Sequence, residues 1–263
     1  MGFIKKRGLA LALSGGSVRG LAHIGFLEVL EENDIKIDYI VGTSMGALIG
    51  GIYAVGKLKE FKKKILKLSR NKILSLLLSN QIKKGNTDTK EIETFIKKFI
   101  EEKKIEDLGI GFTAIATDLK TGKEVYLEKG SLLKSISASI SIPGIFQPVK
   151  IGDMLLVDGG VIDPLPEKYA KEKAENVIAV NALPSRINYK QGGGTFELLS
   201  AVASIMVNEI VGQRRSKEKD KLFVQIKTRN IDSFDFKSAS KVIQLGRRAA
   251  KKHLKKIIEL SHS

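Results

Sequence analysis

Hydrophobic residues fall along this chain in two rhythms. Short, nearly uninterrupted apolar runs, as strands buried on both faces require, occur at Leu9–Leu13, Tyr39–Val41, Phe112–Ala116, Val125–Leu127, Leu155–Val157, Val177–Val180 and Leu222–Ile226. Between most of them apolar residues recur every three or four positions. That period predicts helices over Leu21–Leu30, Ala47–Val55, Leu58–Leu78 with a break near Ser69–Asn71, Lys90–Glu102, Pro166–Lys173, Phe196–Lys219 and Ser238–Glu259. Strands alternating with helices imply an α/β fold, a mainly parallel central sheet flanked by helices. At 263 residues, with no repeat and no long low-complexity linker, the pattern reads as one domain, 1–263.

Two segments stand apart. Ser185–Gly194 is polar and glycine-rich, suited either to a mobile loop near a site or to a simple connection. Leu58–Asn80 interleaves lysines with Phe61, Ile65, Leu66, Leu68, Ile73 and Leu77. It is either a basic amphipathic helix lying on an anionic bilayer or an ordinary helix whose apolar stripe packs on the sheet.

Composition narrows the chemistry. There is no cysteine and there are three histidines, which excludes disulfides and thiolate metal sites and leaves no cofactor implied. The work falls to oxygen nucleophiles, carboxylates and backbone. A net charge of +16 suits an anionic partner, a membrane surface or a nucleic acid. Aromatics are only 6% of residues, and no zinc-finger, RNP-like or clear helix-turn-helix pattern is present, so nucleic acid is not expected. The basic start followed by Leu9–Leu13 is too short for a signal peptide, Lys6 breaks a myristoylation pattern, and no apolar run reaches membrane-span length. The expected location is cytoplasmic, with peripheral membrane contact; lysine richness without cysteine suits a bacterial cytoplasm. Oligomeric state is left open.

Three glycine clusters carry candidate chemistry. In "YIVGTSMGALIGG" a strand leads into Gly42-Thr43-Ser44-Met45-Gly46 and then a small-residue helix, the context of a nucleophile elbow; the rival reading is a tight turn whose serine is a cap. In "LALSGGSVRGLAHIG" the loop Ser14–Gly20 joins a strand to a helix, so its backbone N–H groups are suited to an anion or oxyanion. It has neither the G-x-G-x-x-G spacing of a dinucleotide site nor the Gly-Lys-Ser/Thr of a P-loop. In "LLVDGGVIDPLP" Asp158 ends a buried strand before Gly159 and Gly160, either as a held functional carboxylate or as a turn former, with Asp163 the competing acid.

Taken together, "SGGSVRG", "GTSMG" and "DGG", with "SASISIPGIFQPV" (Ser137–Val149) between the last two, resemble the patatin-like phospholipase family, over about Leu9 to Pro166 and more weakly beyond. The resemblance implies a three-layer patatin-like α/β sandwich and a serine acyl hydrolase acting on lipid esters. It implies Ser44 as nucleophile and Asp158 as its proton acceptor, with no histidine required. It further implies an oxyanion hole from the N–H groups of Gly15, Gly16 and Ser17, with Arg19 supporting the loop or the charge, and supporting glycines at 20, 42, 46, 159 and 160. The chain departs from the family in having Ser17 for a third glycine and Asp163 where many members have asparagine. Asp163 is expected to cap the following helix rather than to act on Asp158.

His23 is read as structural. A Ser44–Asp158–His253 triad is the rival mechanism, disfavoured because His253 lies inside the lysine-rich run "RRAAKKHLKKII". A silent basic lipid-binding protein and a nucleic-acid binder are the rivals from other functional classes.

Overall fold

The computed structural model describes residues 8–67, 90–184, 187, 189, 194–215, 221–228, 231, 232 and 235–262. Most of the Ser185–Gly194 loop and the second part of the Leu58–Asn80 segment lie outside the described residues.

Eight strands form one mixed sheet: β1 (Leu9–Leu13), β2 (Tyr39–Thr43), β3 (Gly111–Asp118), β4 (Lys123–Leu127), β5 (Val149–Ile151), β6 (Met154–Asp158), β7 (Asn176–Asn181) and β8 (Lys221–Gln225). Five of them, in the order β8-β7-β1-β2-β3, run parallel, as alternation with helices predicts. The remaining pairings, β3 with β4, β3 with β6 and β5 with β6, are antiparallel. The helices are α1 (Ala22–Glu32), α2 (Met45–Ala54), α3 (Leu58–Lys67), α4 (Lys90–Ile100), α5 (Leu132–Ser139), α6 (Glu167–Lys173), α7 (Thr195–Arg214) and α8 (Ala239–His262).

β1 shows how the sequence builds three layers. Its residues LALAL alternate faces, as strand geometry dictates. Leu9, Leu11 and Leu13 enter the larger core with α1, α2 and α8, whereas Ala10 and Ala12 enter a smaller core with α6 and the Val211 end of α7. Large residues thus meet the thick helical layer and small ones let the thin layer approach.

The first part of the Leu58–Asn80 segment forms α3. Leu58, Phe61 and Ile65 are buried, with the Phe61 ring edge-on to Phe99 at 5.2 Å, and Lys62 donates to Glu28 of α1 at 2.7 Å. These positions are core and unavailable to a bilayer, whereas Leu66 is exposed, and Leu68, Ile73 and Leu77 lie outside the described residues.

The register around β3 fixes the site. β4 pairs residues 114–118 of β3 and so occupies one edge. On the opposite edge β2 runs parallel to residues 111–115, and β6 runs antiparallel to 116–118. Two strands therefore share one edge, meeting end to end. Thr43, the last residue of β2, pairs Ile115, and Asp158, the last of β6, pairs Ala116. Residues 43–44 and 158 are thereby brought together from positions more than 100 apart in sequence.

α1 and α8 cross closely. A Cβ on Gly25 would overlap the carbonyl oxygen of Ile243, and one on Gly246 would overlap that of Ala22, so each glycine is a contact point for the other backbone. In an uncrowded helix alanine is favoured over glycine by about 0.5–1 kcal/mol. At Gly212 of α7, where an added Cβ meets nothing within 4 Å, Gly212→Ala should follow that rule and raise stability. At Gly246, overlap with backbone should outweigh it, and Gly246→Ala should destabilise by about 1–3 kcal/mol. Denaturant midpoints of the two variants, moving in opposite directions, check this.

Candidate active site

Ser44 sits at the turn between β2 and α2 with φ 54° and ψ −121°, a strained backbone for a non-glycine residue. The turn closes only because its neighbours are small. A Cβ on Gly42 would collide with the backbone of Ala47, and one on Gly46 with the carbonyl of Leu13. Such strain costs of order 1–3 kcal/mol, more than the roughly 1 kcal/mol that one net hydrogen bond returns. Several contacts share the load. Ser44 N–H donates to Ser139 Oγ at 2.9 Å, and that hydroxyl donates onward to the Ile115 carbonyl at 2.6 Å. Leu48 N–H donates to the Ser44 carbonyl at 3.1 Å, starting α2.

The Ser44 hydroxyl donates to Asp158 Oδ2 at 2.6 Å. The other carboxylate oxygen, Oδ1, accepts the N–H of Gly160 at 2.7 Å, which holds the carboxylate in a fixed orientation. Asp158 N–H donates to the Ser141 carbonyl at 2.9 Å, and its own carbonyl accepts the Thr117 hydroxyl at 3.2 Å. Gly159 must lack a side chain because a Cβ would overlap the Ile115 carbonyl. Ser44 and Asp158 are only 7% and 6% exposed. Burial lifts the Asp158 carboxyl from 3.8 to about 6, with the Ser44 hydroxyl and Gly160 N–H pulling the other way.

In the sequence alone the serines of "SASISIPGIFQPV" have no evident role. α5 and the turn after it deliver Ser139 to the backbone of Ser44 and Ser141 to the backbone of Asp158. The stretch is a clamp on both members of the pair. The clustered serines were its only sequence signal.

The loop Ser14–Gly20 lies beside Ser44; a Cβ on Gly15 would stand 3.3 Å from the Ser44 Cβ. The three N–H groups expected of it are not equivalent. Gly15 N–H donates to the Pro164 carbonyl at 3.0 Å, so it is occupied within the protein, and the expectation that it serves the hole is corrected. Gly16 and Ser17, at φ 133° and 49°, have N–H groups with no acceptor among the described residues. Ser17 thus occupies a left-handed position that suits glycine, which explains where the family's third glycine would go. Arg19 borders the cavity that holds Ser44 and Asp158, and its Nη1 donates to the Ile231 carbonyl at 2.7 Å; burial pushes its guanidinium down to about 10, opposed by Asp232. Of the two expected roles, these contacts favour loop support. Gly20 lets the loop pack on Met45.

His23 is fully buried and its Nε2–H donates to the Ser14 carbonyl at 2.9 Å; burial pushes it down to about 4, so it is neutral and structural. His253 lies within α8 and does not line the cavity around Ser44, and the proton acceptor that Ser44 faces is Asp158. Asp163 does not cap α6, which begins after Pro166 without a side-chain cap. Its carboxylate faces Arg214 at 3.7 Å, in a separate cavity of about 280 Å³ that holds neither Ser44 nor Asp158. Asp163 instead contributes its backbone carbonyl, which accepts the Thr43 hydroxyl at 2.8 Å beside the elbow.

Ser44 and Asp158 form the polar end of a cavity of about 450 Å³. Gly16 and Ser17 border it, and apolar walls come from Ile142, Pro143 and Ile145 on one side and α7 on the other. An activated hydroxyl, fixed carboxylate, uncommitted N–H groups and an apolar chamber suit transfer of an acyl group with a greasy tail.

The sequence matches the patatin-like phospholipase family over residues 11–171. An uncharacterized NTE family protein of Mycobacterium tuberculosis is 41% identical over 174 residues, which cover 66% of this chain and 48% of that protein. The match thus spans about half the length of that relative. Lysophospholipase NTE1 of Scheffersomyces stipitis is 30% identical over 193 residues, 68% of this chain and 12% of that protein. Among solved structures, VipD from Legionella pneumophila shares the fold with a TM-score of 0.51 at 14% identity, covering 96% of this chain and 67% of that one. Because the matched span runs from β1 into α6 and contains both partners of the 2.6 Å hydrogen bond, the chain belongs to the patatin-like phospholipase family.

Proposed function

We propose that this protein is a serine acyl hydrolase that cleaves carboxylic ester bonds of phospholipids or lysophospholipids with a Ser44–Asp158 dyad. The observation that carries the reading is the hydrogen bond from Ser44 Oγ to Asp158 Oδ2, made at a strained elbow and opening on an apolar cavity. The lysophospholipase names of two relatives support the substrate class.

In this reading Ser44 Oγ attacks the ester carbonyl as its proton passes to Asp158, forming a tetrahedral intermediate. The oxyanion is held by the N–H groups of Gly16 and Ser17, aided by the positive N-terminal end of α2 at Ser44. Collapse releases the alcohol, which takes the proton from Asp158. A water then gives a proton to Asp158 and attacks the acyl-enzyme, and as the bond to Ser44 Oγ breaks and the fatty acid leaves, Asp158 returns that proton to Ser44. Each step uses oxygen groups and backbone.

Turnover of a short-chain p-nitrophenyl ester and of phospholipid vesicles is expected in EDTA. Ser44→Ala and Asp158→Asn should each lower it on the order of 10³-fold or more, while His253→Ala leaves it unchanged. Equal loss in His253→Ala would instead support the triad. Because Asp158 must be ionised to accept the proton, kcat/KM should rise as pH increases through about 6 and flatten above it. The same shift acts oppositely on folding. The native carboxyl holds its proton to higher pH than the unfolded one, so its contribution to stability declines as pH rises from about 4 to about 6 and stays low above that. Ser139→Ala would orphan the Ser44 N–H, loosening the elbow without touching the cavity wall; kcat should fall about 10- to 100-fold with KM nearly unchanged, as steady-state kinetics can separate.

A further inference from the structure

α7 is distinctive in what it leaves uncovered. Leu198, Leu199, Val202, Ile205 and Met206 are 43–61% exposed, whereas among its described side chains only Ala201 and Val211 are buried. At about 100° per residue the five exposed positions fall within an arc of about 120°, one continuous stripe. The neighbouring arc of the same helix, from Met206 through Ala203 and Val207 to Ser204, forms a wall of the cavity that holds Ser44. Met206 belongs to both. Across the cavity Val161, three residues after Asp158, also lines it and is 48% exposed. The apolar surface is therefore continuous from the outside of α7, over the rim, to the catalytic hydroxyl.

We propose that the α7 stripe, together with Val161, seats the protein on an anionic lipid bilayer, so that an acyl chain slides from the bilayer across this rim into the cavity. The proposal rests on the acyl hydrolase reading of the same cavity. Three observations select a bilayer. A second copy of the chain packed on the stripe would cover the mouth and shut out substrate, whereas a bilayer supplies substrate through it. Lysine and arginine exceed aspartate and glutamate by 16, which favours approach to an anionic surface. No described helix is long and apolar enough to cross a membrane, and on α7 the exposed Glu209, which follows Ile205 on the same face, marks where the apolar contact would end. In α3, Leu58, Phe61 and Ile65 are core, so these positions do not compete for this role.

The test uses Ser44→Ala protein, which leaves lipid intact, mixed with vesicles of phosphatidylcholine and phosphatidylglycerol. It should co-sediment with them and bind pure phosphatidylcholine more weakly. Adding Leu199→Asp and Ile205→Asp, neither of which lines the cavity, should cut partitioning about tenfold or more. In the Ser44-containing protein the same pair should cut vesicle hydrolysis similarly while leaving soluble-ester turnover within about twofold, a readout that also reports correct folding; Val202→Ser gives a milder second variant. Unchanged partitioning in both variants overturns the proposal. So does an absence of vesicle binding by the parent protein, or a dimer on gel filtration that the variants split without affecting vesicle binding. Soluble-ester turnover by the wild type tests the hydrolase reading separately, since its absence would sink that reading while the sedimentation result still stands.

Discussion

One edge of β3 is shared by two strands that meet head to head, and the placement of Ser44 against Asp158 depends on that arrangement. β2 brings Ser44 up to Ile115 from one side, and β6 brings Asp158 down to Ala116 from the other. Because strand side chains alternate faces, a slip of one residue in either strand would turn its functional side chain to the opposite face of the sheet. The register is secured beyond the ladder itself. Thr117 holds the Asp158 carbonyl, Thr43 holds the Asp163 carbonyl, and the stretch from Ser139 to Ser141 grips the backbone of both Ser44 and Asp158. The pairing of Ser44 with Asp158 is a property of the sheet register more than of either loop.

The same location concentrates the unfavourable terms. Ser44 is held at positive φ, Asp158 is ionisable yet buried, and Ser17 takes a conformation better suited to glycine. Each can persist because surrounding structure over-determines it. His23 braces the carbonyl of Ser14, Arg19 ties the Ser14–Gly20 loop to Ile231, and Gly15 is pinned to Pro164. A base that stays ionised above about pH 6 while shielded from water remains a stronger proton acceptor than the exposed carboxylate it resembles.

The two faces of the sheet are covered unequally. One carries α1, α2 and α8, joined by the close glycine crossing and by Arg247 with Glu28 and Glu32. The other carries the short α6 and only one side of α7. The cavity opens on the thinly covered face, because there a helix can be a wall without being fully packed. An apolar helix left half uncovered beside an apolar chamber is the physical cost of keeping that chamber open.

Much of this was legible in the chain. Continuous apolar runs gave the long strands to within two residues or so, and the three-to-four-residue period gave seven of the helices, because both follow from local geometry. β5 was missed because Val149–Ile151 has three residues around an exposed lysine, and α5 because its eight residues are rich in serine, which has no strong helical signature. The glycine clusters marked Ser44, the oxyanion loop and Asp158, since only glycine permits the close backbone approaches found there. Sequence alone could not say that Gly15 is occupied by Pro164, that Asp163 belongs to another cavity, that Ser139 and Ser141 clamp the dyad, or that Leu58, Phe61 and Ile65 of α3 are buried while the α7 stripe is not. Those are decided by which segments meet across more than 100 residues, and hydrophobic periodicity specifies that a face is apolar without specifying what, if anything, will cover it.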